Sequence, residues 1–165
     1  MKYFVLALSF MAAISLMAGC KCKEHDPEQM IAAAKELDQR FTDAYNKGDA
    51  DAIMATYWNS SDLVSYPPGT LEFRGWQAAK QAMAASFAQA PGGKLTLTET
   101  NYQVAGDVVI SWGKWTFTMP MPGGASMEMV GRFTDVKAER DGKWVYIMDH
   151  ASVPLPPPPD QQQVQ

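Results

Sequence analysis

The chain has 165 residues, of which 47% are hydrophobic and 19% charged, and its formal net charge is −4. This length suits a single domain with a substantial core. A mildly acidic chain without a basic stripe argues against nucleic-acid binding. Its two cysteines, Cys20 and Cys22, are too close in sequence to pair readily in a disulfide, and they supply too few ligands for zinc. Because its two histidines lie far apart, the sequence predicts no metal site and no cofactor.

Residues 1–19 have the features of a secretory signal peptide: a short positive start, the apolar run Tyr3–Leu16 and small residues before a cleavage point. The run is too short to favour a membrane-spanning helix. Its end resembles a bacterial lipobox, which predicts that Cys20 becomes a lipidated N-terminus and that residues 20–27 form a short tether. Lys21 follows the cysteine in place of an acidic residue, which favours the outer membrane of the cell envelope. Simple cleavage, giving a soluble periplasmic or secreted protein, is the alternative.

Two helices are predicted at the start of the folded domain, which we place at residues 28–152. Asp26 can cap the first helix, and Pro27 suits its first position. Apolar residues then recur at helical spacing as far as Gly48, a natural C-terminal cap. Asp49 begins a second, short helix.

The other predicted elements are one helix and five strands. Leu63–Tyr66 is a short strand, and a third helix follows Gly75 and ends before Pro91. Longer strands are predicted at about 94–104, 108–119, 127–140 and 143–152. This order predicts an α+β fold with three N-terminal helices packed on one face of a mainly antiparallel sheet. Residues 153–165, rich in Pro and Gln, are expected to form an extended, disordered tail.

The last two strands form a predicted hairpin. We expect a three-residue loop, Arg140–Gly142, because Gly142 then occupies the left-handed bulge position. In that register the pairs on one face are Glu139–Lys143, Asp135–Ile147, Phe133–Asp149 and Gly131–Ala151. Tyr146 and His150 fall on the other face, so His150 cannot form a dyad with Asp149 and a structural role is expected for it. A two-residue turn would shift the pairing by one residue.

Several motifs, in order and spacing, resemble the SnoaL-like branch of the nuclear transport factor 2-like superfamily. They are the Asn-x-Gly-Asp exit of the first helix at 46–49, the segment 62–69 followed by Arg74-Gly75-Trp76, and the hairpin 140–152. The hairpin is also similar to the association domain of calmodulin-dependent protein kinase. The resemblance implies a cone-shaped, cystatin-like fold with an apolar pocket inside a curved sheet. It also implies homodimers that form through the outer sheet face.

Comparison with these relatives places the face of Phe133, Asp135, Ile147 and Asp149 inside the cone. Carboxylates beside apolar walls would have raised pKa values, so Asp135 or Asp149 could act as general acid or base. Alternatively, either residue caps a turn or contacts water at the pocket mouth. Aromatic residues could form a stacking wall, although the alternation around Gly113 can slip through a bulge. The ligand-pocket candidates are Tyr66, Trp76, Trp115, Phe133, Asp135 and Asp149.

Three functions stay open on the sequence. The first is an envelope protein that binds a small, largely apolar molecule. The second is an enzyme of isomerase, cyclase, dehydratase or hydrolase type that uses a pocket Asp, and the third is a dimeric interaction domain near the outer membrane. By alignment, the catalytic groups of ketosteroid isomerase fall on Phe41, Tyr66 and Gly131, none of which keeps the needed group. That chemistry is disfavoured, and the sequence favours binding.

Overall fold

The structure, a computed structural model, describes residues 26–155. The predicted signal peptide, residues 20–25 of the predicted tether and the tail from residue 156 lie outside the described residues, whereas the last two tether residues, Asp26 and Pro27, belong to the start of the first helix. Three helices are present, α1 (Pro27–Lys47), α2 (Ala50–Met54) and α3 (Trp76–Gln89). The strands are β1 (Val64–Tyr66), β2 (Phe73–Arg74), β3 (Lys94–Ala105), β4 (Val108–Pro120), β5 (Ser126–Arg140) and β6 (Lys143–Ser152). A helix long and apolar enough to cross a membrane is not found between residues 26 and 155.

The strands form one curved, open sheet in the order β2-β1-β6-β5-β4-β3. Neighbouring strands are antiparallel except β1, which runs parallel to β6. The helices pack on the concave side, where α1 contacts β3, β4 and β6. The predicted α+β, cone-shaped fold is therefore confirmed. Strand β2 was not predicted, because two residues are too few to show alternation.

Helix α1 is fixed at both ends by the residues that the sequence suggested. The Asp26 side chain accepts a hydrogen bond of 2.9 Å from the Glu28 amide, and Gly48 ends the helix with a φ of 69°. Asn46 then ties the end of the helix to β3, since its side chain donates to the Leu95 carbonyl at 2.9 Å and accepts from the Leu95 amide at 2.7 Å. These contacts hold the buried side of α1 over the concave sheet face.

The closing hairpin differs from its predicted register. Arg140 pairs with Lys143, so the turn contains only Asp141 and Gly142. Both turn residues have positive φ, 52° and 73°, as a two-residue type I′ turn requires. The expected three-residue loop was wrong because Asp141 also adopts the left-handed conformation, which a short polar side chain tolerates.

A bulge in β6 decides which side chains of this strand face inward. Lys137 pairs with Tyr146, whereas Val136 pairs with Met148, so Ile147 is an extra residue. Tyr146 and Asp149 are three positions apart, and the bulge turns both of them to the concave side. The prediction that they lie on opposite faces was wrong.

The two-residue turn and this bulge together change the pairing of the two candidate acids. Asp135 lies directly opposite Asp149, and Phe133 lies opposite Ala151. The predicted pairs Asp135–Ile147 and Phe133–Asp149 are therefore both wrong. Side chains directly opposite each other on one sheet face are close enough to interact.

The alternation of β4 is regular, and the second bulge lies on β3. The register between these strands shifts between Leu97 and Glu99. Trp115 consequently faces inward, while Trp112 lies on the outer face with 40% of its surface exposed. At Gly113 a side chain would clash with the carbonyl of Glu99, which explains the glycine in the middle of the strand.

Candidate functional site

A cavity of about 500 Å³ lies between the helices and the concave face of the sheet. Most of its wall is apolar, formed by residues that include Phe41, Met54, Phe73, Met83, Leu95, Leu97, Trp115, Phe117, Met129 and Phe133. Its polar groups include Tyr57, Ser65, Asp135, Tyr146 and Asp149. None of the described residues that line it is a Lys, Arg or His.

Trp115 forms part of the wall by lying flat over the neighbouring strand. Its direct partner in β5 is Gly131, and a side chain at that position would overlap the indole ring. The indole Nε1 donates to the Arg132 carbonyl at 3.2 Å, which fixes the ring in this orientation. Glycine at position 131 is therefore needed for the packing of this wall.

Asp135 and Asp149 form a carboxyl pair in the cavity wall. The two residues are cross-strand partners, and both side chains line the cavity. Asp149 Oδ2 also accepts the Tyr57 hydroxyl at 3.0 Å and the Ser65 hydroxyl at 3.2 Å. Asp135 is buried, and its Oδ2 accepts from the Ser111 hydroxyl at 3.3 Å.

Burial raises the pKa of Asp135 well above its usual range, and the nearby charge of Asp149 raises it further, while Lys137 acts in the opposite direction. Two adjacent carboxylates in a poorly solvated site do not both ionise readily. Asp149 is only half-buried and accepts two hydroxyl hydrogen bonds. The raised pKa of Asp135 favours its protonated form beside the Asp149 carboxyl group.

Behind this pair lies a second buried group, the ion pair of Lys137 and Asp38. Lys137 is fully buried, and its Nζ lies 2.8 Å from Asp38 Oδ1 and 3.7 Å from Asp135 Oδ2. Tyr102 donates to Asp38 at 2.8 Å, and Tyr146 also donates to it. The ammonium further lies 5.4 Å and 5.1 Å from the ring centroids of these two tyrosines.

Burial also raises the pKa of the tyrosines around these groups. Desolvation is the largest cause for both Tyr57 and Tyr146, followed by the charge of Asp149 for Tyr57 and that of Asp38 for Tyr146. Their hydroxyls therefore stay protonated and act as hydrogen-bond donors. Among residues 26–155, no group of three or more His, Cys, Asp or Glu side chains could hold a metal ion.

Comparison with known protein families identifies the family of this chain. The profile of the SnoaL-like domain matches residues 34–156. The chain belongs to the SnoaL-like family. This family contains both ligand-binding and enzymatic members. A search of curated proteins finds no match.

Solved structures of nuclear transport factor 2-like (NTF2-like) proteins share the fold of this SnoaL-like domain. A candidate dehydratase of the NTF2-like family from Streptomyces avermitilis has a TM-score of 0.71 and 17% identity, over 79% of this chain and 100% of that one. An NTF2-like superfamily protein from Salmonella enterica has a TM-score of 0.70 and 18% identity, over 80% and 96% of the chains. A candidate calcium/calmodulin-dependent protein kinase II association domain from Xanthomonas campestris has a TM-score of 0.63 and 20% identity, over 79% and 89%. At such identities the likeness concerns the fold alone.

The SnoaL-like domain places four of the six predicted pocket residues in the cavity wall, namely Trp115, Phe133, Asp135 and Asp149. Trp76 is half-buried at the start of α3 and packs against the core cluster beneath the wall. Its indole donates to the Met54 carbonyl at 2.8 Å, which joins α3 to α2.

Tyr66 lies outside this cavity. It lines a wide groove of about 890 Å³ together with His150, and its side chain is 36% exposed. The two rings meet edge to face, with centroids 6.1 Å apart. Tyr66 does not line the cavity because side chains alternate along a strand: Ser65 points inward, so its neighbour Tyr66 points outward.

The sequence analysis did not identify Lys137, Asp38 or Ser111 as site residues, although the sequence pattern indicates an inward position for Lys137 and for Asp38. The alternation that placed Phe133 and Asp135 inside the cone also places Lys137 there, two residues further along β5. Asp38 lies at helical spacing on the inward side of α1. Ser111 accepts from Lys137 and donates to Asp135, which joins the two buried groups.

Proposed function

We propose that this SnoaL-like domain binds a small, largely apolar molecule in the cavity, with a polar group of that molecule held at the Asp135–Asp149 pair. The observation that carries the proposal is an apolar cavity whose charged groups converge at one place. A volume of about 500 Å³ lies within the usual range for small-molecule sites. A wall that is apolar except for a few convergent polar groups is the common form of such a site.

The test is native mass spectrometry of the full-length protein purified from its own cell envelope. The expected result is a retained small molecule that is lost in Ala82→Phe, which fills the cavity from α3. Ala84→Phe is the matched control, because Ala84 is exposed on the same helix and does not line the cavity. Equal retention in both variants would place the molecule elsewhere and contradict the proposal.

A second candidate function is acid–base catalysis at the same pair. The observation that favours it is the raised pKa of Asp135 beside the charge of Asp149, inside a pocket. A general acid or base contributes about 10²–10⁴-fold in rate. Turnover of any compound in a metabolite screen should therefore fall by about that factor in Asp135→Asn and in Asp149→Asn. No turnover in the screen, together with unchanged ligand binding in both variants, would contradict catalysis.

We also propose, from the sequence, that the protein is a lipoprotein on the periplasmic side of the outer membrane, anchored through Cys20. The lipobox-like end of the apolar run and the following Lys21 support this proposal. The intact mass of the protein recovered from the membrane fraction should exceed the mass of the unmodified mature chain by that of a lipid group. Cys20→Ser should abolish both the added mass and the membrane association, and an unmodified soluble protein would refute the anchor.

A homodimer through the outer sheet face is the remaining proposal. Trp112, Thr134, His150 and Tyr66 are successive partners across four strands, so they form one row on that face. Trp112 and Tyr66 are 40% and 36% exposed, which is much for aromatic side chains. Sedimentation should show a dimer that Trp112→Lys dissociates. Leu71→Lys, in the exposed loop before β2, should leave the dimer intact, and a monomeric wild type would contradict the proposal.

A further inference from the structure

The hydroxyl donors at the polar end of the cavity are already engaged with carboxyl groups of the protein. Tyr57 and Ser65 donate to Asp149, at 3.0 Å and 3.2 Å. Tyr146 donates to Asp38 behind the wall. A carboxylate offers about four acceptor positions, so Asp149 can accept further hydrogen bonds beside these two, both of which are made to its Oδ2. A ligand here therefore meets acceptors.

The charge at this end of the cavity is negative. Asp135 and Asp149 are the two acidic residues of the described cavity wall, and no basic residue occurs among the described residues of that wall. Lys137 lies behind the wall and is compensated by Asp38, which is nearer to its Nζ than Asp135 is, at 2.8 Å against 3.7 Å. None of the described residues of the cavity wall therefore supplies a cation to Asp149, and the apolar walls provide little screening for a charge at this position.

We propose that the natural ligand is an amphipathic amine, with an apolar body in the cavity and a single protonated amino group on the Asp149 carboxylate. This inference rests on the proposed binding function and specifies its ligand class. A protonated amine supplies both the hydrogen-bond donors and the positive charge that this end of the cavity accepts. A neutral alcohol supplies a donor without the charge, and a carboxylate ligand is repelled.

The experiment compares three probes with the same aromatic body, 2-(1-naphthyl)ethylamine, 2-(1-naphthyl)ethanol and 1-naphthylacetate, by calorimetric titration of the full-length protein at neutral pH. Charge-assisted hydrogen bonds are roughly twice as strong as neutral ones. We therefore expect the amine to bind about tenfold more tightly than the alcohol or better, and the acetate to bind most weakly. Equal affinities for the three probes would overturn the inference while leaving the binding function standing. Failure of all three to bind would count against both.

Two variants assign the preference to one carboxylate. Asp149→Asn should remove the advantage of the amine over the alcohol, while the binding of the alcohol persists and shows that the variant is folded. Asp107→Asn is the matched control, since it removes the same charge from the exposed turn between β3 and β4 and should leave the preference unchanged. An amine preference that survives in Asp149→Asn, or that disappears equally in both variants, would overturn the assignment.

Discussion

Replacing Lys137 by methionine is expected to destabilise the domain by about 3–5 kcal/mol, the cost of breaking a buried ion pair by removing one partner. The side chain is 0% exposed, and its Nζ lies 2.8 Å from Asp38 Oδ1. Methionine occupies nearly the same volume, so a cavity contributes little and the cost comes from the buried charge of Asp38. The value should lie near the lower limit, because Tyr102 and Tyr146 still donate to that carboxylate.

The measurement is urea unfolding followed by tryptophan fluorescence, with the slope of the transition checked for two-state behaviour. The double variant Asp38→Asn/Lys137→Met serves as the control. It removes both charges, so it should be more stable than the sum of the single effects predicts, by at least about 1 kcal/mol. A loss below about 1 kcal/mol in Lys137→Met, or strictly additive effects in the double variant, would refute the buried ion pair.

Two further predictions concern the cavity wall. The folded state holds a proton on Asp135 above the usual pKa of an aspartate, so wild-type stability should fall, by up to about 1.4 kcal/mol per pH unit, as the pH rises from about 4 to the raised value. Asp135→Asn should remove this fall in urea unfolding measured between pH 4 and 8, and a constant difference between the two proteins across that range would contradict it. Gly131→Ala should cost about 1–3 kcal/mol, because the new methyl group overlaps the Trp115 ring. Thermal unfolding measures this cost, with Val130→Ala as the exposed neighbour for comparison, and an equal effect of the two changes would refute the close packing.

Much of the fold could be predicted from local patterns. The caps of α1, the helical spacing and the turn residues between the long strands each have a local physical cause, and the structure places the elements where those causes indicate. The hairpin register failed for an equally local reason. Asp141-Gly142 fits either a two-residue or a three-residue loop, and the choice depends on whether Asp141 adopts a positive φ.

The β6 bulge could not be predicted in this way. Nothing in the sequence around Ile147 distinguishes a regular strand from one with an extra residue, yet that residue turns both Tyr146 and Asp149 inward. Tertiary contacts explain it, because the inward Tyr146 donates to Asp38 and the inward Asp149 accepts from Tyr57. Asp38 and Tyr57 both lie far from β6 in sequence. Some residues of the site could therefore be predicted from the sequence, but their relative positions could not.

The two buried groups depend on each other electrostatically. Asp38 and Asp135 lie beside one ammonium, that of Lys137, and Asp149 lies opposite Asp135, so full ionisation of the three acids would leave two negative charges in excess in a poorly solvated interior. The raised pKa of Asp135 favours the form that reduces this excess, and the Lys137 ammonium lies nearer to Asp38, behind the cavity wall, than to Asp135. Asp149 is the least buried of the three acids, and it lines the cavity together with Asp135. Because the one buried cation pairs with Asp38 behind the wall, the acids at the end of the apolar cavity have no basic residue beside them in the described wall, and this is where a cationic ligand group fits.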